Sequence, residues 1–206
     1  MSSQFRYGMK KVLVCATRNR HKLEELRPLL EPLGYVLRTL DEEAPNLPLI
    51  EDGDTFAANA EKKALAVHQA TGKAALADDS GLEVEALGGA PGVRSARFGG
   101  EPRGDDRNNR ALVAALQHVP PPWPARFRCA LALARPGAPT VIEEGTLEGA
   151  IVAAPRGRHG FGYDPHFLVE GSDRTLGEHA PEEKSRLSHR ARAFARLRPH
   201  LARLAG

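Results

Sequence analysis

Four polar clusters in this sequence contain residue types that could carry chemistry. They are residues 17–22, Glu51-Asp52, Asp78-Asp79-Ser80-Gly81, and the basic set Lys184, His189 and Arg190. Two adjacent carboxylates repel each other, so such a pair needs a cation or hydrogen-bond donors close by. Magnesium binds carboxylate oxygens together with the phosphate oxygens of a substrate. A surface turn that only caps the next element is the alternative interpretation of the same acids.

Two further segments could bind parts of a nucleotide. A loop between a buried strand and a helix presents backbone N–H groups that suit a phosphate, and Lys22 would add a positive charge to it. This loop lacks the glycines of a Walker loop, so an ordinary strand-to-helix turn remains the alternative. Phe161 lies within the glycine-bearing stretch 157–162 and offers either a flat surface for a base or a ring that fills the core.

Elements of an α/β fold must position the first three clusters. The apolar run 12–16 predicts a strand buried on both faces, and leucines at helical spacing over 23–33 predict a helix that Pro28 should kink. Residues 36–40 predict a second strand. Residues 74–77 predict a short strand that runs into the paired acids, with Ser-Gly as a turn after it.

A second helix should carry polar residues toward the acids. We expect Asp54 to cap a helix over 55–71, which Gly72 ends. Its apolar stripe is Phe56, Ala60, Ala64 and Val67, and a separate polar stripe consists of Thr55, Asn59 and Lys63.

The second half of the chain predicts a helix, a hairpin and a terminal helical region. A helix should begin near Asp105 and end before the prolines of 120–124, which we interpret as a junction between two lobes. Alternating residues on either side of Pro136-Gly137 predict an antiparallel hairpin. Residues 167–169 predict a short strand, and the chain is helical in pattern from Pro181 onward.

Composition narrows the class of protein. The 206 residues are 41% hydrophobic and 27% charged, and no apolar run approaches the roughly 20 residues that span a bilayer. Only two cysteines occur, Cys15 and Cys129, both in apolar runs, which favours buried thiols in a reducing cytoplasm over a disulfide framework. We expect residues 1–9 to form a flexible extension and residues 10–206 to form one two-lobed domain.

The net charge of +3 is unevenly distributed. From Lys184 to the end there are seven Lys or Arg residues and no acid. This basic segment could bind nucleic acid, form a solvated helix face, or attract a polyanionic small ligand. Charge alone leaves these alternatives open.

Seven motifs occur in one order along nearly the whole chain, from about residue 10 to residue 198. They are Thr-x-Asn-x-x-Lys (17–22), Asp-Thr-Phe-x-x-Asn-Ala (54–60), Asp-Asp-Ser-Gly-Leu (78–82), Leu-Gly-Gly-Ala-Pro-Gly-Val-x-Ser-Ala-Arg (87–97), Phe-Gly-Tyr-Asp-Pro (161–165), Glu-Glu-Lys-Ser (182–185) and Ser-His-Arg (188–190). Any one of them could arise by chance, but the series is specific. It resembles the inosine/xanthosine triphosphate pyrophosphatase family, which removes non-standard purine nucleotides such as ITP, dITP and XTP.

The resemblance implies an elongated α/β fold with a long mixed sheet flanked by helices and an active-site cleft between two lobes. It also implies a cytoplasmic homodimer that requires Mg²⁺, with Mn²⁺ as a possible substitute, and that acts on a small nucleotide rather than on nucleic acid or a membrane. The expected reaction is hydrolysis to the monophosphate and pyrophosphate by attack of water on the α-phosphorus. The alternatives are a nucleotide- or nucleic-acid-binding protein without catalysis, and a hydrolase of pyrimidine or methylated triphosphates.

The same resemblance implies roles for individual residues. Asp79 would be the proton acceptor and a metal ligand, with Glu51 and Asp78 as the other acids of the metal site. Substrate contacts are expected from the phosphate loop and from Lys63, Ser80, the base and sugar site, and the basic set; these residues are Thr17, Arg18, Asn19, Arg20, His21, Lys22, Lys63, Ser80, Phe161, Gly162, Tyr163, Asp164, Lys184, His189 and Arg190. Arg18 stands where the family usually has glycine, so it could add a phosphate contact.

Overall fold

A six-stranded mixed sheet organises the protein. The computed structural model describes residues 11–205, so the predicted extension over residues 1–9 lies outside the described residues. The strands are β1 (Lys11–Cys15), β2 (Tyr35–Thr39), β3 (Ala75–Val84), β4 (Trp123–Arg135), β5 (Ala138–Ile151) and β6 (Phe167–Val169). The helices are α1 (Arg20–Leu30), α2 (Leu40–Glu43), α3 (Phe56–Thr71), α4 (Asp105–Leu116), α5 (Pro181–Leu187) and α6 (His189–Ala205).

The strand order is β2-β1-β3-β4-β5-β6. Strands β1, β2 and β3 are parallel, whereas β3 through β6 are antiparallel. The predicted hairpin is therefore confirmed as β4 and β5, and the predicted short strand as β6. The mixed sheet flanked by helices is confirmed as well, while the two-lobed shape and the junction at 120–124 stay predictions.

The capping of α3 differs from the sequence prediction. Thr55, not Asp54, is the N-cap, and its hydroxyl accepts a hydrogen bond from the backbone N–H of Ala58 at 3.1 Å. Gly72 ends the helix with a φ of 67°, as predicted. The apolar stripe of α3 is buried against the sheet, and Asn59 and Lys63 from the polar stripe are buried too. Two polar residues on a buried helix face require polar partners, and these partners form the candidate site.

Strand β3 is longer than the sequence predicts. The Asp-Asp-Ser-Gly run lies inside the strand, which continues to Val84 and pairs with β4 along its whole length. The prediction of a turn at Ser80-Gly81 is therefore wrong. Gly81 is needed for another reason: a Cβ there would lie 2.4 Å from the Ser95 Oγ and 2.7 Å from the Gly92 carbonyl oxygen. The 3-10 helix Gly92–Arg97 packs directly on the strand at this point.

The predicted helix after β1 runs through Pro28 to Leu30 and is followed by a 3-10 turn, Glu31–Leu33. The helical region from Pro181 is two helices, α5 and α6, divided at Ser188. Of the residues described, none form a helix that is long and apolar enough to cross a membrane.

Hydrophobic cores lie on both faces of the sheet. One packs α1 and α6 against β1 and β4, and it contains the free thiols of Cys15 and Cys129. The second packs α3 against the other face. The third fills the end formed by β4, β5 and β6. The expectation of buried thiols is confirmed.

The basic segment is docked rather than free. Phe194, Leu197 and Leu201 of α6 are buried in the first core. Two of its arginines are bound to the sheet, since Arg192 donates to the Thr146 carbonyl at 2.8 Å and Arg196 to the Glu144 carbonyl at 2.7 Å. Part of the positive charge of α6 is therefore used in hydrogen bonds to β5. This disfavours the interpretation of the basic segment as a nucleic-acid-binding arm.

Candidate active site

A cavity of about 360 Å³ lies where the carboxyl end of β1, the middle of β3, α3 and the start of α6 meet. Most of the predicted site residues line it. They are Thr17, Arg18, Asn19, Lys22, Glu51, Lys63, Asp79, Ser80, Phe161, Gly162, Tyr163, Asp164, Lys184, His189 and Arg190. The other three, Arg20, His21 and Asp78, are not part of its lining.

Lys63 joins the acids of the site. Its Nζ lies 2.5 Å from the Glu51 Oε1 and 3.0 Å from the Asp79 Oδ1, and it donates to the Asp78 carbonyl at 2.9 Å. Burial alone would lower the pKa of Lys63, but the two carboxylates outweigh it and raise that pKa, so the ammonium stays charged. One buried cation thus holds Glu51 and Asp79 close together.

Asp79 is the buried carboxylate that faces the cavity. Its Oδ2 accepts a hydrogen bond from the Asn59 Nδ2 at 3.1 Å, and Asn59 is fixed in turn because its Oδ1 accepts from the Gly53 N–H at 2.8 Å. Burial raises the pKa of Asp79 above its ordinary value, although Lys63 and Lys22 act against this. A raised pKa makes a carboxylate a better proton acceptor.

The donor set fits a divalent ion that arrives with a phosphate. Within residues 11–205, no group of three or more His, Cys, Asp or Glu side chains could hold a metal by itself. Glu51 and Asp79 offer carboxylate oxygens next to the cavity, and magnesium is commonly held by one or two carboxylates plus substrate phosphates. Burial opposes ionisation of Glu51, but Lys63 outweighs it and lowers the pKa, so this carboxylate stays charged.

The structure does not support Asp78 as a metal ligand. Its side chain is fully buried and accepts from the Lys22 Nζ at 2.6 Å, the Arg190 Nε at 2.6 Å, the Ser80 Oγ at 3.0 Å and the Cys129 Sγ at 3.2 Å. Burial favours the neutral acid, but Arg190 and Lys22 outweigh it and hold the pKa of Asp78 well below its usual range. Neighbouring residues of a strand point to opposite faces, so Asp78 and Asp79 cannot serve one ion in the same way.

The predicted phosphate loop, residues 17–22, is built around the cap of α1. The Asn19 Oδ1 accepts from the backbone N–H groups of His21 and Lys22 at 3.0 and 3.3 Å. Arg18 is turned toward the neighbouring loop instead, where it pairs with Asp41 at 2.9 Å and donates to the Pro45 carbonyl at 2.7 Å. The suggested phosphate contact of Arg18 is therefore not supported, and Arg20 is an exposed residue at the start of the helix.

The aromatic end of the cavity is formed around Phe161. The Lys184 Nζ lies 4.4 Å from the ring centroid, within the range of a cation–π contact. The His21 ring stacks on Phe161 with 5.0 Å between centroids and 10° between planes. His21 thus lies with the aromatic end and not, as predicted, with the phosphate loop. Tyr163 is buried and donates its hydroxyl to the Ser95 carbonyl at 2.8 Å.

Glu25 is a site residue that the sequence analysis missed. It contacts the Lys184 Nζ at 2.7 Å, and it forms an ion pair with Arg190. Lys184 is also 2.6 Å from the Asp164 Oδ2, so its ammonium lies between two carboxylates. No local pattern in the sequence marks Glu25, because its partners lie far along the chain.

His189 is held neutral at the wall of the cavity. It is 4% exposed and stacks on Phe127 with 4.9 Å between centroids. Burial, aided by the positive charge of Arg190, holds its pKa well below the usual value. A neutral imidazole adds surface and a hydrogen-bonding nitrogen to the site, but no charge.

Comparison with known proteins gives one consistent result. The sequence matches the Ham1 family over residues 13–200. It is 48% identical to a dITP/XTP pyrophosphatase of Desulforamulus reducens (93% of this chain, 96% of the relative) and 44% identical to one of Bacillus subtilis (92% and 96%). Among solved structures, a HAM1 protein from Coxiella burnetii superposes with a TM-score of 0.85 at 38% identity, covering 94% of this chain and 99% of that one. The Staphylococcus aureus Ham1 protein gives 0.84 at 36% identity, covering 93% and 98%.

Proposed function

Because this chain belongs to the Ham1 family, we propose that it hydrolyses non-standard purine nucleoside triphosphates, dITP, XTP and ITP, to the monophosphate and pyrophosphate. The observation that carries the proposal is the shared cavity. It joins the Lys63–Asp79–Glu51 cluster at one side to Phe161 and Lys184 at the other. The cations suit the phosphate oxygens of a triphosphate, the acids suit the metal ion that accompanies it, and the aromatic ring suits a base.

Asp79 takes the central chemical role. Its carboxylate accepts a proton from the water that attacks the α-phosphorus, and the burial that raises its pKa makes it a stronger base. Lys63 keeps it in place and favours its ionised form. Lys22 is fixed by Asp78 at the edge of the same cavity and adds positive charge for phosphate oxygens.

Magnesium, or manganese in its place, would be held by Glu51 and Asp79 together with phosphate oxygens, and when bound it supplies positive charge that stabilises the leaving pyrophosphate. Asp78 is not included in this set, because its oxygens are committed to Lys22, Arg190 and Ser80. Its role is to orient these three side chains beneath the site.

Lys184 is suited to recognise a base with a keto group at the six position. An ammonium has three donors, and Asp164 and Glu25 engage two of them. The remaining donor can bond to a keto oxygen of a base stacked on Phe161, over which the ammonium lies. Adenine presents a donor amine at that position, so two hydrogen-bond donors would face each other without an acceptor, which disfavours adenine.

A nucleotide panel tests the proposal directly. The protein is incubated with dITP, XTP, ITP, dATP and dGTP in the presence of magnesium, and pyrophosphate and orthophosphate are assayed separately. We expect pyrophosphate and the monophosphate from the first three substrates, with much slower turnover of dATP. Release of orthophosphate with accumulation of the diphosphate would overturn the proposed cleavage at the α-phosphorus.

From the family resemblance we also propose that the protein works as a homodimer in the cytoplasm. Sedimentation equilibrium at micromolar concentration tests the first part. A mass that matches a single 22.3 kDa chain at all concentrations would contradict the dimer.

A further inference from the structure

One of the cations that line the cavity differs from the others because it has no carboxylate partner among the described residues. Seven Lys or Arg side chains line it, and six of them pair with a carboxylate. These pairs are Arg18–Asp41 at 2.9 Å, Lys22–Asp78 at 2.6 Å, Lys63–Glu51 at 2.5 Å, Arg103–Glu101 at 3.2 Å, Lys184–Asp164 at 2.6 Å and Arg190–Asp78 at 2.6 Å. The seventh is Arg97, which has no carboxylate within 4.0 Å among residues 11–205.

The guanidinium of Arg97 has donors to spare. It is half-buried, and its hydrogen bond among the described residues is a long one, 3.5 Å from the Nη2 to the Glu51 carbonyl oxygen. A guanidinium carries five N–H donors in a planar fork that matches phosphate oxygens. A half-buried cation that borders a cavity and has no carboxylate within 4.0 Å among residues 11–205 is well placed for an anion from the substrate.

Arg97 is also held in a fixed place. The turn that carries it is anchored through Ser95, whose Oγ accepts from the Leu82 N–H at 2.9 Å and donates to the Gly92 carbonyl at 2.6 Å. The Tyr163 hydroxyl bonds to the Ser95 carbonyl at 2.8 Å. Gly81 permits this close packing, since a side chain there would collide with Ser95. Charge that is oriented before the substrate binds is the most effective kind for stabilising a transition state.

We propose that Arg97 binds the β- and γ-phosphates of the substrate and stabilises the leaving pyrophosphate. Its contact with the Glu51 segment places it beside the proposed metal-binding acid, and Phe161 lies on a different segment that would hold the base. This inference rests on the proposed function. In the step itself a bond forms between the water oxygen and the α-phosphorus, and the water's proton goes to Asp79. The bond from the α-phosphorus to the oxygen bridging the α- and β-phosphates breaks, and its electron pair leaves with pyrophosphate, where Arg97 meets the new charge.

Binding of the two products separates this role from a general effect on the site. Titration calorimetry measures the Kd of inorganic pyrophosphate, with magnesium present, and of dIMP for the wild type and for Arg97→Ala. We expect Arg97→Ala to weaken pyrophosphate binding about 10- to 100-fold, the effect of lost charge-assisted hydrogen bonds. The Kd of dIMP should change less than about 2-fold, since dIMP lacks the phosphates that Arg97 contacts.

Two further variants act as controls. Arg94→Ala removes an exposed arginine from the same turn that does not line the cavity, and it should leave both affinities unchanged. Arg97→Lys keeps the charge without the planar fork and should recover part of the pyrophosphate affinity. A melting temperature for Arg97→Ala that matches Arg94→Ala shows that the turn is intact.

The outcomes distinguish this inference from the proposed function. Equal pyrophosphate affinity in Arg97→Ala and the wild type overturns the role of Arg97, even if the wild type releases pyrophosphate from dITP. Equal losses for pyrophosphate and dIMP also overturn it, because Arg97 would then act on the monophosphate part. If the wild type fails to hydrolyse dITP while pyrophosphate binding still depends on Arg97, the proposed function fails and the anion site stands.

Discussion

Asp79→Asn is the substitution that tests the catalytic assignment most directly. It keeps the shape of the side chain and one oxygen, but it removes the negative charge and the basicity. We expect kcat for dITP to fall on the order of 10²- to 10⁴-fold, the contribution that a positioned general base makes. The fold should survive, because Lys63 keeps its 2.5 Å contact with Glu51 and is not left as an unpaired buried charge.

The structure also sets the stability cost of this change. The two oxygens of Asp79 accept from two donors, the Lys63 Nζ and the Asn59 Nδ2. An amide at this position must turn its NH₂ group toward one of them, and Asn59 cannot flip in response without losing its bonds to Gly53. One unsatisfied buried donor costs about 1–3 kcal/mol. For a chain of this size each kcal/mol lowers Tm by about 2–4 °C, so we expect a loss of about 2–12 °C.

Two companion variants separate catalysis from folding. In the double variant Asp79→Asn with Asn59→Asp, the carboxylate at position 59 accepts a hydrogen bond from the new amide at position 79. A negative charge is thereby returned next to Lys63, but it is carried by α3 instead of β3. We expect Tm to recover by at least half while kcat stays low. Asp78→Asn is the matched change one residue away. It weakens the partner of buried Arg190 and Lys22, so it should lower Tm more, since breaking a buried pair costs about 3–5 kcal/mol.

Steady-state kinetics with dITP and thermal melting decide between the outcomes. Near-normal turnover of Asp79→Asn would show that another group accepts the proton. Recovery of activity in the double variant would show that a negative charge near Lys63 is enough, whichever element carries it. Either result refutes the assignment of Asp79 as the general base.

Two other predictions concern stability. Lys184→Ala should lower Tm, measured by calorimetry, because it leaves the buried Asp164 carboxylate without its cation at a cost of about 3–5 kcal/mol, while the half-buried Glu25 keeps its ion pair with Arg190. Adding Asp164→Asn should recover part of the loss, and no recovery would contradict this account. His189 has a folded-state pKa well below its usual value, so the unfolded chain binds a proton that the folded protein excludes. The stability that neutral His189 contributes is fully present at pH values above the unfolded-state pKa of about 6.5. As the pH drops below that value, this contribution is lost at up to about 1.4 kcal/mol per pH unit. His189→Gln should therefore flatten the decline of the urea midpoint between pH 6.5 and 5, and an unchanged slope would contradict the buried neutral histidine.

The sequence predicted the elements around the site better than the contacts within it. Apolar runs and capping residues report on local structure, which is why β1, α3 and the β4–β5 hairpin could be located. The continuation of β3 past Asp79 could not be predicted, because the Asp-Asp-Ser-Gly run contains aspartate and glycine, which are depleted in strands. That segment is a strand because β4 pairs with it and the Gly92–Arg97 turn packs over Gly81.

Residues of the candidate site were predicted where a sequence motif contains them. They were missed where only tertiary contacts bring them to the site. Glu25 lies 159 and 165 residues from its partners Lys184 and Arg190, and no local pattern joins such positions. Asp78 and Asp79 are neighbours in sequence, so both were assigned to one metal site. The pleat of β3 separates them onto opposite faces, and that separation follows only from knowing that the segment is a strand.

The location of Asp79 and Ser80 within β3 has a consequence for hydrogen exchange. This strand lies between β1 and β4, and most of it is buried. Amides of a central strand exchange with solvent mainly when the whole domain opens, whereas exposed segments open locally at lower free energy. The backbone that carries Asp79, the proposed general base, should thus belong to the most protected set of amides in the protein. The largely exposed segment 152–160, which leads to Phe161, should exchange through small local openings. Mild denaturant would then disturb the binding of the base well before it disturbs the acids.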